Sequence, residues 1–210
     1  MTDVAVVDYG AGNLVSIEQA LVAGGASVRR ALSAADIGAP DLLVVPGVGA
    51  AAPAMERLRA GGFVDPIRAW IAADRPFLGI CLGLQLLFDV SDEDGAETLG
   101  VLGGRTVRLD AAPTLPHIGW NQVDRVAAEH PAFGGIAPGA DFYFVHSYAA
   151  APSEDGLTLA RTEHGAAFVS AVARGALAGV QFHPERSGRD GLRLLANFVA
   201  QAATARARAA

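Results

Sequence analysis

Short apolar runs alternate with stretches of helical spacing along the first half of the chain. Residues 4–7 are continuously apolar and read as a buried strand; the helix opened by Asn13 then carries Leu14, Ile17 and Leu21 on one face until Gly24 and Gly25 stop it. Residues 28–32 predict a second strand and 42–45 a third, followed by a glycine-rich turn, a helix over about 53–60 and another over 63–73. A fourth strand is predicted at 77–80, and a helix over 82–88 follows at once. Continuous apolar strands separated by helices predict a mostly parallel sheet covered on both faces.

The second half has a different pattern. Strand-like runs at 101–109, 118–123, 142–148, 157–161, 168–172 and 177–182 are closely spaced and separated by turn signals such as Gly103-Gly104, Gly134-Gly135 and Pro138-Gly139. That spacing predicts additional antiparallel strands. A last helix over 192–203 carries Leu192, Leu195, Phe198 and Val199, and the terminal ARARAA reads as a fraying end. No proline-rich or charged linker interrupts the pattern, so residues 1–210 are expected to form a single α/β domain.

Composition narrows the class. Of 210 residues, 51% are apolar and 18% charged, which is material for one sizeable core and excludes global disorder. The net charge of −6 argues against a general nucleic-acid binder. A single cysteine, Cys81, leaves no intramolecular disulfide and no cysteine-rich zinc site. The N-terminal run does not read as a signal peptide, and the uncharged stretch 77–88 is too short to span a bilayer, so a cytoplasmic location is expected.

Cys81 stands between a predicted strand and a predicted helix, in GICLG (79–83), with glycines two residues away on either side. This is the cysteine version of a nucleophile elbow: the sharp turn crowds the backbone, and small residues at those two positions relieve the crowding. A helix starting there favours thiolate over thiol and leaves the N–H of Leu82 free to face an oxyanion. The competing reading is a small buried hydrophobe, the usual fate of a free cysteine.

Two other segments carry chemistry. PGVG (46–49) follows a strand, and its turn can present backbone N–H groups to an anion. It also satisfies G-x-G-x-x-A at Gly47, Gly49 and Ala52, but the next strand ends in a cysteine rather than an acid that could bind ribose, which disfavours a dinucleotide site. In HPE (183–185), Pro184 keeps His183 extended, so His183 and Glu185 can project to one side as base and orienter. Of the other histidines, His146 lies within a strand as a packing or site-wall residue, and His130 and His164 fall in polar loops and are expected to be solvated. No spacing resembles a metal site, and neither metal nor cofactor is expected. Trp120 suits either a contact surface or a core.

GICLGLQLLF (79–88), GVQFHPERSG (179–188) and PGVG (46–49) together resemble the triad-type (class I) glutamine amidotransferases, whose fold is flavodoxin-like. DYGAGN (8–13), LPHIGWN (115–121) and YFVHSY (143–148) narrow the resemblance to the glutaminase subunits of imidazole glycerol phosphate synthase, and it covers essentially the whole chain. The resemblance implies a catalytic triad of Cys81, His183 and Glu185. It implies an oxyanion site at Leu82, Val48 and Gly49, with the turn at Gly47–Val48 misaligned until the partner's ligand binds. Substrate glutamine would meet Gly47, Gln85, Ser147 and Tyr148. The implied partner is a (β/α)8-barrel cyclase subunit that receives ammonia, with Asn13, His117, Trp120, Tyr143 and Arg186 at or near its interface. Another amidotransferase's glutaminase component, or a non-catalytic thiol-sensing scaffold on the same fold, are the alternatives.

Overall fold

A computed structural model describes residues 1–126 and 130–209. Four parallel strands open the chain: β1 (Thr2–Val7), β2 (Ala26–Ala31), β3 (Leu42–Gly47) and β4 (Phe77–Cys81). Between them lie α1 (Leu14–Ala23), α2 (Ala51–Ala60) and α3 (Val64–Ala72), and α4 (Leu82–Gln85) follows β4 directly. The rest is β5 (Val90–Ser91), β6 (Gly104–Arg108), β7 (His117–Arg125), β8 (Ala140–His146), β9 (Tyr148–Pro152), β10 (Thr158–His164), β11 (Ala166–Arg174), β12 (Leu177–Val180) and α5 (Gly188–Ala209).

These strands form one mixed sheet in the order β2-β1-β3-β4-β12-β11-β10-β7-β8. β12 returns to pair in parallel with β4, and the strands beyond it pair antiparallel through β11, β10, β7 and β8; β9 branches from β11 and carries β6 antiparallel, and β5 pairs with β6 in parallel. The expected α/β architecture is therefore present: a parallel half, an antiparallel extension and flanking helices.

The apolar continuity of the first strands has a packing cause. On β1, Val4 and Val6 enter one core layer with α1 and α5, while Ala5 and Val7 enter the other with α2 and α3. Leu42 and Val44 on β3 divide from Leu43 and Val45 in the same way. A strand buried on both sides has no polar face to alternate.

Several boundaries differ from the sequence expectations. β3 runs through Pro46 to Gly47, because Pro46 and Gly47 still pair with Ile80 and Cys81. The helix after Cys81 is a single turn ending at Gln85, not a run to Phe88: the N–H groups of Leu86–Phe88 still donate back to Leu82, Leu84 and Gln85, but their carbonyls accept from the N–H groups of Leu99–Leu102 instead of continuing the helix. The run 142–148 divides at Ser147, since β8 pairs with β7 while β9 pairs with β6 and β11. α5 is longer than predicted, and its buried stripe runs through Leu194, Leu195, Phe198, Val199 and Ala202; Leu192 is 42% exposed and lies off that face.

Phe182, just past β12, is fully buried and packs at 4.2 Å on Phe142 and 5.7 Å on Phe144 between ring centroids. It anchors the segment that continues to His183. Phe182→Ala is expected to cost about 3–5 kcal/mol of stability, read as a lower urea midpoint.

Candidate active site

The sheet order sets β3, β4 and β12 side by side, and the candidate residues leave their carboxyl ends. Gly47 lies opposite Cys81, and Val180 lies opposite Ile80. Open parallel sheets present ligand sites at this edge.

Cys81 has φ 55° and ψ −110°, a left-handed φ that a residue with a Cβ adopts only under constraint. The constraint is visible in the flanking glycines. A Cβ on Gly83 would sit 1.8 Å from the Val45 carbonyl oxygen, and one on Gly79 would sit 2.6 Å from the Gly83 carbonyl oxygen. β3, β4 and α4 thus approach more closely than any side chain permits, and the elbow is held from both sides.

His183 and Glu185 come together beside the thiol. His183 Nδ1 lies 2.9 Å from Glu185 Oε1, with both side chains almost wholly buried. His183 Nε2 and Glu185 Oε2 have no hydrogen-bond partner. Burial alone would hold the imidazole neutral; the adjacent Cys81 and then Glu185 outweigh it and raise its pKa well above the ordinary histidine range. A thiol, an imidazole and a carboxylate are the residue types that a nucleophile–base–orienter array requires.

A cavity of about 320 Å³ opens over Cys81. Its wall includes Val48, Gly49, Leu82, Gln85, Ser147 and Tyr148, as the sequence suggested. Gly47 is absent from it: as part of β3 it is buried, with Tyr9 and Leu82 packed where its side chain would be.

Three participants were not picked out from sequence. Glu93 lines the cavity, its pKa raised by burial and then by Asp94. Tyr9 has a buried, unpartnered hydroxyl, and burial followed by the charge of nearby Cys81 pushes its pKa up. Gln181 is wholly buried, with its amide nitrogen 3.6 Å from Cys81 Sγ. Gln181 stands two residues before His183, but Glu185 lies in the single 3-10 turn Pro184–Arg186, so strand alternation does not account for the His183–Glu185 pairing.

A hydrogen-bonded chain starts in the cavity wall, which His146 and Tyr148 help to line. His146 Nδ1 is 2.8 Å from the Tyr148 carbonyl, which can only accept, so that nitrogen carries the proton. His146 Nε2 then accepts from His117 Nδ1 at 3.0 Å, and His117 Nε2 accepts from Asn121 Nδ2 at 3.2 Å. His117 is therefore buried within this chain and does not sit on an exposed contact surface. His164, expected in a polar loop, instead ends β10 and stacks on His117 at 4.1 Å while remaining partly exposed. His130 is partly buried and its Nδ1 accepts from the Ala132 N–H.

Three of the remaining residues adjoin at the surface. Trp120 is 58% exposed, its ring 6.1 Å from Tyr143, and Arg186 lies 4.2 Å over the Tyr143 ring. Asn13 is exposed just before α1.

A model of the family described as "Glutamine amidotransferase class-I" matches residues 5–202. The chain belongs to that family. Among its curated relatives, "Imidazole glycerol phosphate synthase subunit HisH" of Nitrosococcus oceani is 48% identical over 205 residues, covering 95% of this chain and 97% of the relative. The protein of the same name from Synechococcus sp. (strain JA-3-3Ab) is 47% identical over 198 residues, covering 93% and 92%. At the level of fold, a solved glutamine amidotransferase superposes with a TM-score of 0.76 at 21% identity, covering 95% of this chain and 98% of its own. A chain in the structure of PurLQS from Thermotoga maritima gives 0.75 at 17%, covering 96% and 99%.

In this amidotransferase, Gly83→Ala is expected to destabilise by about 1–3 kcal/mol or more through forced overpacking, seen as a lowered thermal or urea midpoint. A second expectation concerns pH. Burial, foremost, holds His117 down to about 4 and His146 down to about 3, below the 6.5 of an unfolded histidine. The unfolded chain therefore takes up protons first, and stability is lost as pH falls from about 6.5 towards 4. Urea unfolding at pH 7 and pH 5 measures the loss, and His146→Asn should reduce the difference.

Proposed function

We propose that the chain is the glutaminase subunit of imidazole glycerol phosphate synthase, hydrolysing glutamine to glutamate and ammonia through Cys81, His183 and Glu185. The carrying observation is the strained elbow at Cys81, which opens on a cavity of metabolite size, with the buried 2.9 Å His183–Glu185 pair at the adjoining strand end. Family membership and the names of the relatives support the same reading.

The Cys81 thiolate adds to the side-chain amide carbon of glutamine. The oxyanion faces the Leu82 N–H and the turn at Val48 and Gly49. His183, kept basic by Cys81 and Glu185, gives a proton to the departing nitrogen, and ammonia leaves a thioester on the sulfur. Water, losing a proton to His183, then cleaves the thioester, releasing glutamate and restoring the thiol. Gln85, Ser147 and Tyr148 contact the substrate, and the Glu93 carboxylate on the cavity wall matches the charge of its ammonium group.

Ammonia released into water would be wasted, so the product passes to a separate (β/α)8-barrel cyclase subunit. There it closes the imidazole ring of imidazole glycerol phosphate, with release of the aminoimidazole carboxamide ribotide. The cluster of Trp120, Tyr143 and Arg186, with Asn13, is the proposed docking surface; an exposed tryptophan beside an arginine is the composition of an interface centre. The cytoplasm is the proposed compartment, and no helix among the described residues is long and apolar enough to cross a membrane.

Glutamine hydrolysis, assayed with and without the barrel subunit and its ribonucleotide ligand, tests the proposal. Strong stimulation by the loaded partner is expected, abolished in Cys81→Ala and His183→Ala and reduced about 10²–10⁴-fold in kcat by Glu185→Gln. Binding of the barrel with no turnover under any condition would favour the thiol-sensing scaffold instead.

A further inference from the structure

The one-turn length of α4 removes most of the helix-terminus stabilisation that a thiolate at Cys81 would otherwise enjoy, since the aligned peptide dipoles number only a few. Another donor reaches the sulfur. Gln181 is wholly buried, and its amide faces Cys81 Sγ on one side and Gln85 on the other.

Which end of that amide meets the sulfur follows from a backbone carbonyl. The Tyr148 oxygen accepts from the Gln85 side chain at 2.9 Å, so the Gln85 atom there is Nε2. The same Nε2 lies 3.0 Å from the Gln181 side chain, whose facing atom must therefore accept and is Oε1. That leaves Gln181 Nε2 directed at the sulfur, 3.6 Å away, as a donor. The orientation is fixed step by step from Tyr148 through Gln85 to Gln181, and a flipped amide at either glutamine would set two donors or two acceptors against each other.

We propose that Gln181 is a thiol-positioning residue: its amide N–H, locked by Gln85, holds the Cys81 sulfur in place and favours its ionised form. A hydrogen bond to an ionised acceptor is stronger than one to the neutral group, so the bond favours thiolate over thiol. The titratable groups that face or act on the same sulfur are His183, backed by Glu185, from the end of β12; Tyr9 from the end of β1; and Glu93 across the cavity, with His146 acting on His183 from β8. Each is left in place by a change at Gln181.

The proposal rests on Cys81 being the nucleophile, and the test reads the sulfur directly. The rate of alkylation of the full-length chain by iodoacetamide, without glutamine, is measured from pH 5 to 10. Gln181→Met, similar in volume but without a donor, should alkylate about tenfold more slowly at pH 7, with its half-maximal point displaced upward by about one pH unit. Gln85→Met, which leaves Gln181 present but free to turn, should displace the profile in the same direction by less. A folded Gln181→Met with the parental profile overturns the proposal. If that variant does not fold, Gln85→Met decides: a displaced profile supports the proposal and an unchanged one overturns it. Glutamine turnover by the same preparations tests the glutaminase reading separately, because alkylation requires no substrate recognition.

Discussion

At Cys81 the backbone takes a left-handed φ on a residue that bears a Cβ, a conformation costing of order 1–3 kcal/mol, and the surrounding structure has to impose it. It is imposed by crowding. The chain leaves β4, turns within one residue and lays α4 back against β3 so closely that Gly83 touches the Val45 carbonyl. Parallel pairing of β3 and β12 on either side of β4 prevents the bend from relaxing sideways. Every group at the site is placed relative to this bend: the turn at Val48 and Gly49 by β3, the thiol by β4, and Gln181, His183 and Glu185 by the segment after β12. The two apolar layers that cover the sheet supply the stability against which the strain is held.

Polar order behind the site is continuous. Asn121 bonds to His117, His117 to His146, and His146 to the Tyr148 carbonyl, which also receives Gln85, which in turn holds Gln181 against Cys81. Burial keeps His117 and His146 neutral, and neutrality lets each ring donate from one nitrogen while accepting at the other. His183 has the opposite setting. It is buried as well, but with Cys81 and Glu185 as neighbours its charged form is favoured. Histidines in one small region thus hold different protonation states because their neighbours differ.

A good part of this was legible in the chain. The GICLG glycines carried the elbow, since the steric demand of a strand-to-helix bend is local; HPE carried the neighbours His183 and Glu185, but only His183 is extended, and the carboxylate reaches it from the 3-10 turn Pro184–Arg186 rather than from an extended segment. The alternation of apolar runs and helical spacing carried the parallel half of the sheet. Gln181 and Glu93 escaped notice because neither residue type announces a role; each acquires one only from what the fold sets opposite. α4 is shorter than its pattern suggests because Leu86, Leu87 and Phe88 continue a helical spacing of apolar residues while their carbonyls are taken by the N–H groups of Leu99–Leu102.

Sequence by itself determined the local devices: the bend at Cys81, the pairing of His183 with Glu185, the doubly buried strands and the face of α1, all set by sterics and spacing within a few residues. Only the tertiary structure decided that strands about 100 residues apart would be neighbours, that a buried His117 would stack on a half-buried His164, and that the Gln181 amide would point its nitrogen at the sulfur. Those outcomes depend on strand order and on hydrogen-bond partners supplied by distant segments, for which a linear pattern carries no code.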